Sequence, residues 1–529
     1  MTVAAERKVD GVQTRATGMR AILEQLHEPV YVVEGTDGVG LSAEPGSPGW
    51  EVAAAASACP PTALGSTAFV DRGGLRAPYL AGAMAGGIAS VDLVRSMTDA
   101  GLSASFGSGG LPVDSVARAL DDLGETASRP GFLMNLLHSP QDPDAEDELV
   151  DLLLRRRVRG IEASAFMGIT PALARYRVAG LRVRDGQVVA ENRVMAKVSR
   201  PELVRVFARP VPDALLRRLT DAGQVTAVQA QLAREVPVAD EITAEADSGG
   251  HTDSRPLAVL LPRFVAERES IRRDFRPAGG IHIGAAGGLG TPTAVAAAFA
   301  LGADYVVTGS VNQVCREAGV SDAAKKMLAS AGIADFAFAP AADMFEIGAQ
   351  VQVLKKSTMF ASRAQRLRHL YDTHRSVTEL SDADRAWLED KVFRTSLDDA
   401  FADVRAYLSR VGSEDATGEI EPRRAMALLF RSYLGQSSRW ARDGDSDRAA
   451  DYQLWAGPAL GAFNDWVAGS DLTDPSDRGV VDVAANLIVG AAYQTRVHHL
   501  RTNGVRLPAS ISTFQPRAGC AHLLVPETT

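Results

Sequence analysis

One pattern recurs eight times from residue 75 onward: a short apolar run ending in small residues, followed by an amphipathic helical run. The apolar runs are, in order, APYLAGAM, GLSASFGS, GFLMNLLH, GIEASAF, RVMAKVS, ADEITAEA, GGIHIGAAGG and DYVVTGS. The helical runs between them include SVDLVRSMTDAG, VDSVARALDDLG, AEDELVDLLLRRRV and PLAVLLPRFVAERESIRRDF. Strands without apolar/polar alternation are buried on both faces, the condition of a parallel sheet covered by helices. Eight such units over about 250 residues give the α/β class and predict a closed (β/α)8 TIM barrel. An open doubly wound sheet is the alternative, because closure leaves no mark in a single sequence. The insert LRVRDGQVVAEN predicts a hairpin turning at Asp185-Gly186.

The flanks differ from this centre. Residues 1–64 form an N-terminal segment with one strand-like run, VYVVE, among turn residues. It contains Gly38-Val39-Gly40-Leu41-Ser42-Ala43, which fits the dinucleotide-binding spacing. That motif needs a helix start to hold a pyrophosphate, and EPGSPGW follows instead, so the match is read as accidental. Residues 375–529 carry helical patterns such as RRAMALLFRSYLG and GVVDVAANLIVGAAYQTRVHHLRTNG, with Gly504 closing the latter. Trp440, Trp455 and Trp466 are expected to anchor a helical core there. The division is thus 1–64, a barrel domain over 65–374 and a helical C-terminal domain over 375–529.

The remaining bulk properties narrow the function class. Net charge is -9, against the basic excess of nucleic-acid binders. Cys59, Cys315 and Cys520 are odd in number and far apart, which makes neither a disulfide framework nor a zinc pattern and suits a reducing cytoplasm. No secretory h-region opens the chain, and even PLAVLLPRFV is cut by Arg263, so no membrane span is expected.

Chemistry-bearing residues cluster at strand ends. GAAGGLGTP follows the seventh strand and TGSVNQ the eighth, where barrels commonly hold a phosphate. Gly287 and Gly288 let main chain approach phosphate oxygens, and Gly309 and Ser310 offer further donors. Tight βα turns alone would also explain these glycines. Gly82, Ala83 and Met84 end the first strand with small residues around one Met, as a flat ring would need. Asn135 in the third strand and Lys197 in the fifth are polar residues in apolar runs, either satisfied structurally or aimed into a site. Ser248, Gly249, Gly250 and His251 follow the sixth strand, and His251 is placed for acid/base work or is a surface loop residue. Arg155, Arg156, Arg157 and Arg159 read as a solvated helix face, or as a patch for an acidic partner.

The stretches MAKVSRPELVRVFARP, EADSGGHTDSRPL, GAAGGLGTPTAVAAAFALGADYVVTGSVNQ, APAADMFEIGAQVQVLKKSTMF and DYQLWAGPALGAFNDWVAGS resemble the PfaD-type trans-acting enoyl reductases of polyunsaturated-fatty-acid and polyketide synthases. These are similar to the wider group of FMN-dependent enoyl reductases and nitronate monooxygenases. The resemblance runs from about residue 65 to 510. It implies FMN, NADPH as electron source, and an enoyl thioester borne on an acyl carrier protein of a polyketide or fatty acid synthase. A homodimer is left open.

Carried onto this chain, the resemblance implies that Gly287, Gly288, Gly309 and Ser310 meet the FMN phosphate. Gly82, Ala83 and Met84 would support the ring, and Asn135 and Lys197 would meet its polar edge. Ser248, Gly249, Gly250 and His251 would border it near substrate, with His251 as acid or thioester orienter and Lys197 as a second catalytic candidate. Three alternatives stay open: a nitronate-monooxygenase-type flavin oxidase, a non-catalytic FMN-binding synthase component, and a cofactor-free phosphosugar barrel.

Overall fold

The computed structural model describes residues 11–36, 38–139, 142–250, 252–410, 414–416 and 418–524. Contacts divide the chain into two compact units. The first comprises residues 1–247, 253–318 and 466–529, and the second residues 248–252 and 319–465.

The first unit opens with an antiparallel sheet in the order β2-β1-β3, made of β1 (Val30–Gly35), β2 (Gly38–Ser42) and β3 (Trp50–Ala56). The spurious dinucleotide motif is therefore a hairpin strand: Gly40 pairs with Val33 and Leu41 with Val32. Next come β4 (Tyr79–Ala81), β5 (Ser103–Phe106), β6 (Phe132–Leu137) and β7 (Gly160–Ser164). The hairpin β8 (Arg182–Arg184) and β9 (Gln187–Val189) interrupts, turning at Asp185 and Gly186, both with positive φ as a type I′ turn requires. The series resumes with β10 (Arg193–Val198), β11 (Glu241–Glu245), β12 (His282–Ala286) and β13 (Tyr305–Thr308). These eight parallel strands close as β10-β11-β12-β13-β4-β5-β6-β7, so the expected barrel is present with all eight strands where the apolar runs placed them. Closure is the pairing of Val306, Val307 and Thr308 with Tyr79, Leu80 and Ala81.

Leu80, Leu133, Met195, Tyr305 and Val307 share one buried cluster with Phe69 of the helix Thr67–Gly73. The Phe69 ring stacks on Tyr305 at 4.5 Å and 8°, and the Arg193 guanidinium lies 5.9 Å over it. Arg193 also pairs with buried Glu241 at 3.1 Å, and Arg177 grips Asp240 through two hydrogen bonds of 2.7 and 3.0 Å. This ionic layer sits at the N-terminal ends of β10 and β11. The Arg155–Arg159 stretch is partly paired: Arg156 meets Asp121 and Arg159 meets Glu191 at 2.8 Å.

The helix Val480–Thr502 is apolar nearly all round and mostly buried. Gly490 allows it to lie against the helix Pro292–Ala300, since a Cβ there would sit 2.6 Å from Pro292 Cγ. Gly504, at φ +85°, follows its last turn as expected. Arg496 fastens this helix to the N-terminal segment. Its buried guanidinium donates to Leu23 O (3.1 Å), Gln25 O (3.0 Å), Leu26 O (3.2 Å) and Glu28 O (2.6 Å), carbonyls at and beyond the end of the helix Ala16–Glu24. A cation suits the negative end of a helix.

In the second unit, β14 (Phe336–Pro340) and β15 (Gln350–Leu354) pair antiparallel. Their apolar residues join those of the helices Phe360–Thr373, Leu397–Arg410 and Pro422–Asp443 in one core. Trp440 and Trp455 pack on it, whereas Trp466 belongs to the first unit and donates to Phe514 O. Asp451, fully buried, accepts from Tyr433 and is paired with Arg363, Arg394 and Arg448. Among the described residues, no helix is long and apolar enough to cross a membrane.

Replacing Arg496 by Ala removes four charge-assisted hydrogen bonds to main-chain carbonyls, of which Gln25 O and Leu26 O keep a backbone donor. The expected cost is about 2–4 kcal/mol, the scale of losing hydrogen bonds to a buried charge. Urea denaturation measures the loss, and limited proteolysis should cut first within residues 11–64.

Candidate active site

The C-terminal ends of the barrel strands carry three kinds of feature. The first is a pair of adjacent loops. Gly287 (φ +90°) and Gly288 (φ +74°) follow β12, and Gly309 and Ser310 follow its neighbour β13. At Gly287 a Cβ would lie 2.7 Å from Asp247 O, so a side chain is sterically excluded. At Gly288 and Gly309 a Cβ would meet nothing within 4 Å: the main chain there borders open space. The N–H groups of Gly287, Gly288, Gly309 and Ser310 have no acceptor among the described residues. Four free amides on two neighbouring loops form an anion-ready cradle. The β12 loop leads into the helix Pro292–Ala300, capped by Thr291. The β13 loop is fixed from beneath, where Asn312 Nδ2 donates to Thr308 O and Oγ1, both at 3.0 Å.

The second feature is a flat ledge beyond β4, the next strand round. Gly82 is buried, with its N–H on Thr308 O (2.9 Å), and Ala83 and Met84 are half-buried. The β5 loop locks the ledge. Gly87 N–H donates to Gly107 O and Gly86 N–H to Gly109 O, each at 2.8 Å, and a Cβ on Gly107 would collide with Met84 O at 1.7 Å. Gly107 and Gly109 were not singled out in the sequence, and the GSGG run after the second strand is the signal that could have found them.

The third feature is ionic. Lys197 on β10 lies between Glu162 on β7 (3.2 Å) and Glu245 on β11 (3.0 Å), so one ammonium bridges three neighbouring strands. Glu162 is fully buried and its Oε2 accepts from Ala83 N–H at 3.1 Å, which ties this triad to the ledge. Burial alone would lower the proton affinity of Lys197, but Glu245 and Glu162 more than offset this and hold it above its ordinary value. Lys197 is therefore a fixed cation at neutral pH, not a base. Asn135 on β6 donates to Glu162 O and Ser164 Oγ, both at 3.1 Å. The structure thus gathers Lys197 and Asn135 around Glu162. Glu162 and Glu245 escaped the sequence reading, although a carboxylate inside GIEAS or EITAE is the same signal as Asn135 inside LMNLL.

Ser248, Gly249 and Gly250 belong to the second compact unit, where Gly249 lies against the main chain of Trp455 and Ala456. His251 lies outside the described residues.

Comparison with known proteins identifies relatives of the chain. Residues 75–369 match the family model for nitronate monooxygenase. Residues 374–452 match that of the inserted helical domain of [acyl-carrier-protein] S-malonyltransferase. The chain is 44% identical over 450 residues to one of the polyunsaturated fatty acid synthase polypeptides of Thraustochytrium sp., covering 83% of this chain and 30% of that one. It is 42% identical over 431 residues to polyketide biosynthesis protein PksE of Bacillus subtilis, covering 81% and 56%. The chain thus spans about a third to just over half of these relatives' length. The crystal structure of the enoyl reductase domain of MlnA, from the macrolactin cluster of Bacillus amyloliquefaciens, superposes with a TM-score of 0.78 at 35% identity, covering 84% of this chain and all of that domain.

The raised proton affinity means that the ionic contribution of Lys197 is fully present below its ordinary value of 10.5 and is lost as pH rises through the folded value. Lys197→Met leaves two buried carboxylates uncompensated and should cost about 3–5 kcal/mol at pH 7. The urea midpoint at pH 7 measures the loss.

Proposed function

The chain belongs to the nitronate monooxygenase family, and from that membership we propose that it is a trans-acting enoyl reductase. It reduces the α,β-double bond of enoyl thioesters borne on an acyl carrier protein, with NADPH as electron source and FMN as carrier, for a polyketide or fatty acid synthase in the cytoplasm. The observation that carries the flavin reading is the pairing of a four-amide anion cradle with a fixed ammonium across the same barrel mouth. Likeness to the MlnA enoyl reductase domain supports an enoyl thioester over a nitronate. The boundary between the two matched family models, at 369 and 374, supports a barrel domain over 65–374 followed by a helical domain.

Bound FMN would supply two-electron transfer, from NADPH to the β-carbon of the enoyl group. The protein's share is binding, orientation and proton control. The amides of Gly287, Gly288, Gly309 and Ser310 hold the phosphate, with the Ser310 hydroxyl as a further donor. Gly82, Ala83 and Met84 support one ring face, and the interlock with Gly107 keeps that support rigid. Asn135 and Lys197 address the polar edge of the ring, with Glu162 fixing where Lys197 stands. The role proposed for His251 is that of acid or thioester orienter. A flavin oxidase of the nitronate monooxygenase type is the competing reading, favoured by the family match alone.

An anaerobic absorbance titration tests the proposal. The purified protein should carry FMN, bleach with NADPH, and recover its band on adding a crotonyl thioester. Recovery only on admitting air would favour the oxidase, and failure to take up added FMN would overturn the flavin reading altogether. Gly288→Asp puts a negative charge beside the cradle, and should weaken FMN binding at least tenfold while leaving the far-ultraviolet circular dichroism unchanged.

A further inference from the structure

The geometry points to His138 as a further catalytic residue: the proton donor to the substrate α-carbon, with Glu146 as its positioning residue. This rests on the enoyl reductase reading above. His138 directly follows β6, three residues beyond Asn135 on the same strand, and its main-chain N–H donates to Ser164 O at 3.0 Å. Its backbone is thereby tied to the C-terminal rim formed by β6 and β7, beside Glu162 and Lys197.

The ring is built into place from three sides. Its Nδ1 lies 2.9 Å from Glu146 Oε2. Glu146 is buried in the first turn of the helix Pro143–Arg155, where the helix end favours a carboxylate. The Thr170 hydroxyl donates to the other Glu146 oxygen, and the same hydroxyl caps the helix Pro171–Val178 by accepting from Leu173 N–H at 3.2 Å. Phe166 stacks on the imidazole at 4.9 Å and 25°. It is presented by Ala165, which holds a left-handed φ of +64°, a conformation unfavourable for a non-glycine residue and one that collects at functional sites.

One ring nitrogen is left over. Nε2 has no partner among the described residues, and the side chain is 21% exposed. One nitrogen is thus held on a buried carboxylate and the other is open at the barrel rim. Of the charged groups on the elements packed against it, Glu146 faces the ring, while Arg175 is taken up by Asp147 and Asp151. A carboxylate on Nδ1–H fixes the tautomer and the ring's orientation, the arrangement that leaves Nε2 to give and regain a proton.

In the proposed step, the π bond of the enoyl group breaks as the β-carbon takes a hydride from the reduced flavin. The electron pair passed to the α-carbon forms a C–H bond with the proton on His138 Nε2. The imidazolium becomes neutral imidazole, still donating from Nδ1 to Glu146, and water at the exposed edge restores its proton.

Two measurements test this, one on the chain loaded with FMN and one on the apoprotein. In stopped flow, His138→Gln should leave bleaching by NADPH within about twofold of wild type but slow reoxidation by crotonyl thioester about a hundredfold or more, the scale of a lost general acid. By nitrogen NMR of the apoprotein, the neutral His138 imidazole should show one tautomer, protonated at Nδ1, and Glu146→Gln should let both tautomers appear, a change that a purely packing role would not produce. Reoxidation of His138→Gln at the wild-type rate overturns the role, as does a neutral wild-type imidazole protonated at Nε2. Failure of the wild type itself to be reoxidised by the thioester overturns the enoyl reductase reading and this role with it; normal wild type beside an unaffected variant overturns this role alone.

Discussion

Everything at the barrel mouth depends on the closure of β13 against β4. Three register pairs, from Val306–Tyr79 to Thr308–Ala81, turn eight strands into a ring and leave no unpaired edge. Closure makes sequence-distant strand ends into neighbours. The loops after β12 and β13 come to stand beside the β4 ledge, although some 200 residues separate them in the chain. It also sets what the interior can hold. Tyr305 and Phe69 fill the lower part with stacked rings, and the Tyr305 hydroxyl is satisfied by Thr243 Oγ1 at 2.7 Å.

The two ends differ in electrostatic character for a reason visible in their residues. At the N-terminal end, arginines outnumber what their carboxylates can neutralise. His282 at the start of β12 shows the consequence: burial, then Arg72, Arg268 and Arg272, push its pKa down to about 4 and keep it neutral. At the C-terminal end two carboxylates face one ammonium, and Lys197 is held protonated instead. The cationic end is structural, binding helices to strands through Arg177 and Asp240. The carboxylate-rich end is where chemistry is proposed.

The eight barrel strands were legible because each is buried on both faces and so reads as a mostly apolar run without alternation, such as FLMNLL or HIGAA. Of the N-terminal sheet only β1 was, as VYVVE. β3 is WEVAAAA, whose alanines carry neither alternation nor β propensity, and β2 is GVGLS, which imitates a nucleotide motif. At the site, glycines at strand ends were legible because a turn with positive φ demands them, as at Gly287 and Gly288. Ion pairing was not: Glu162, Lys197 and Glu245 lie on separate strands, and nothing local in the sequence says which charges closure will bring together. The His138–Glu146 pair is closer in sequence, but a loop and the first turn of a helix stand between its members.

The Lys197 triad constrains how a bound ring could be assisted. Ion pairs to Glu162 at 3.2 Å on one side and Glu245 at 3.0 Å on the other fix where the ammonium stands. On the proposed function, Lys197 therefore presents a cation held at one place on the ring edge, and a preorganised group needs no reorganisation when charge develops. The second carboxylate weakens the bare charge and in return fixes its position. This is why Glu162, tied at once to the ammonium and to the Ala83 N–H, matters to the site as much as the lysine that the sequence made conspicuous.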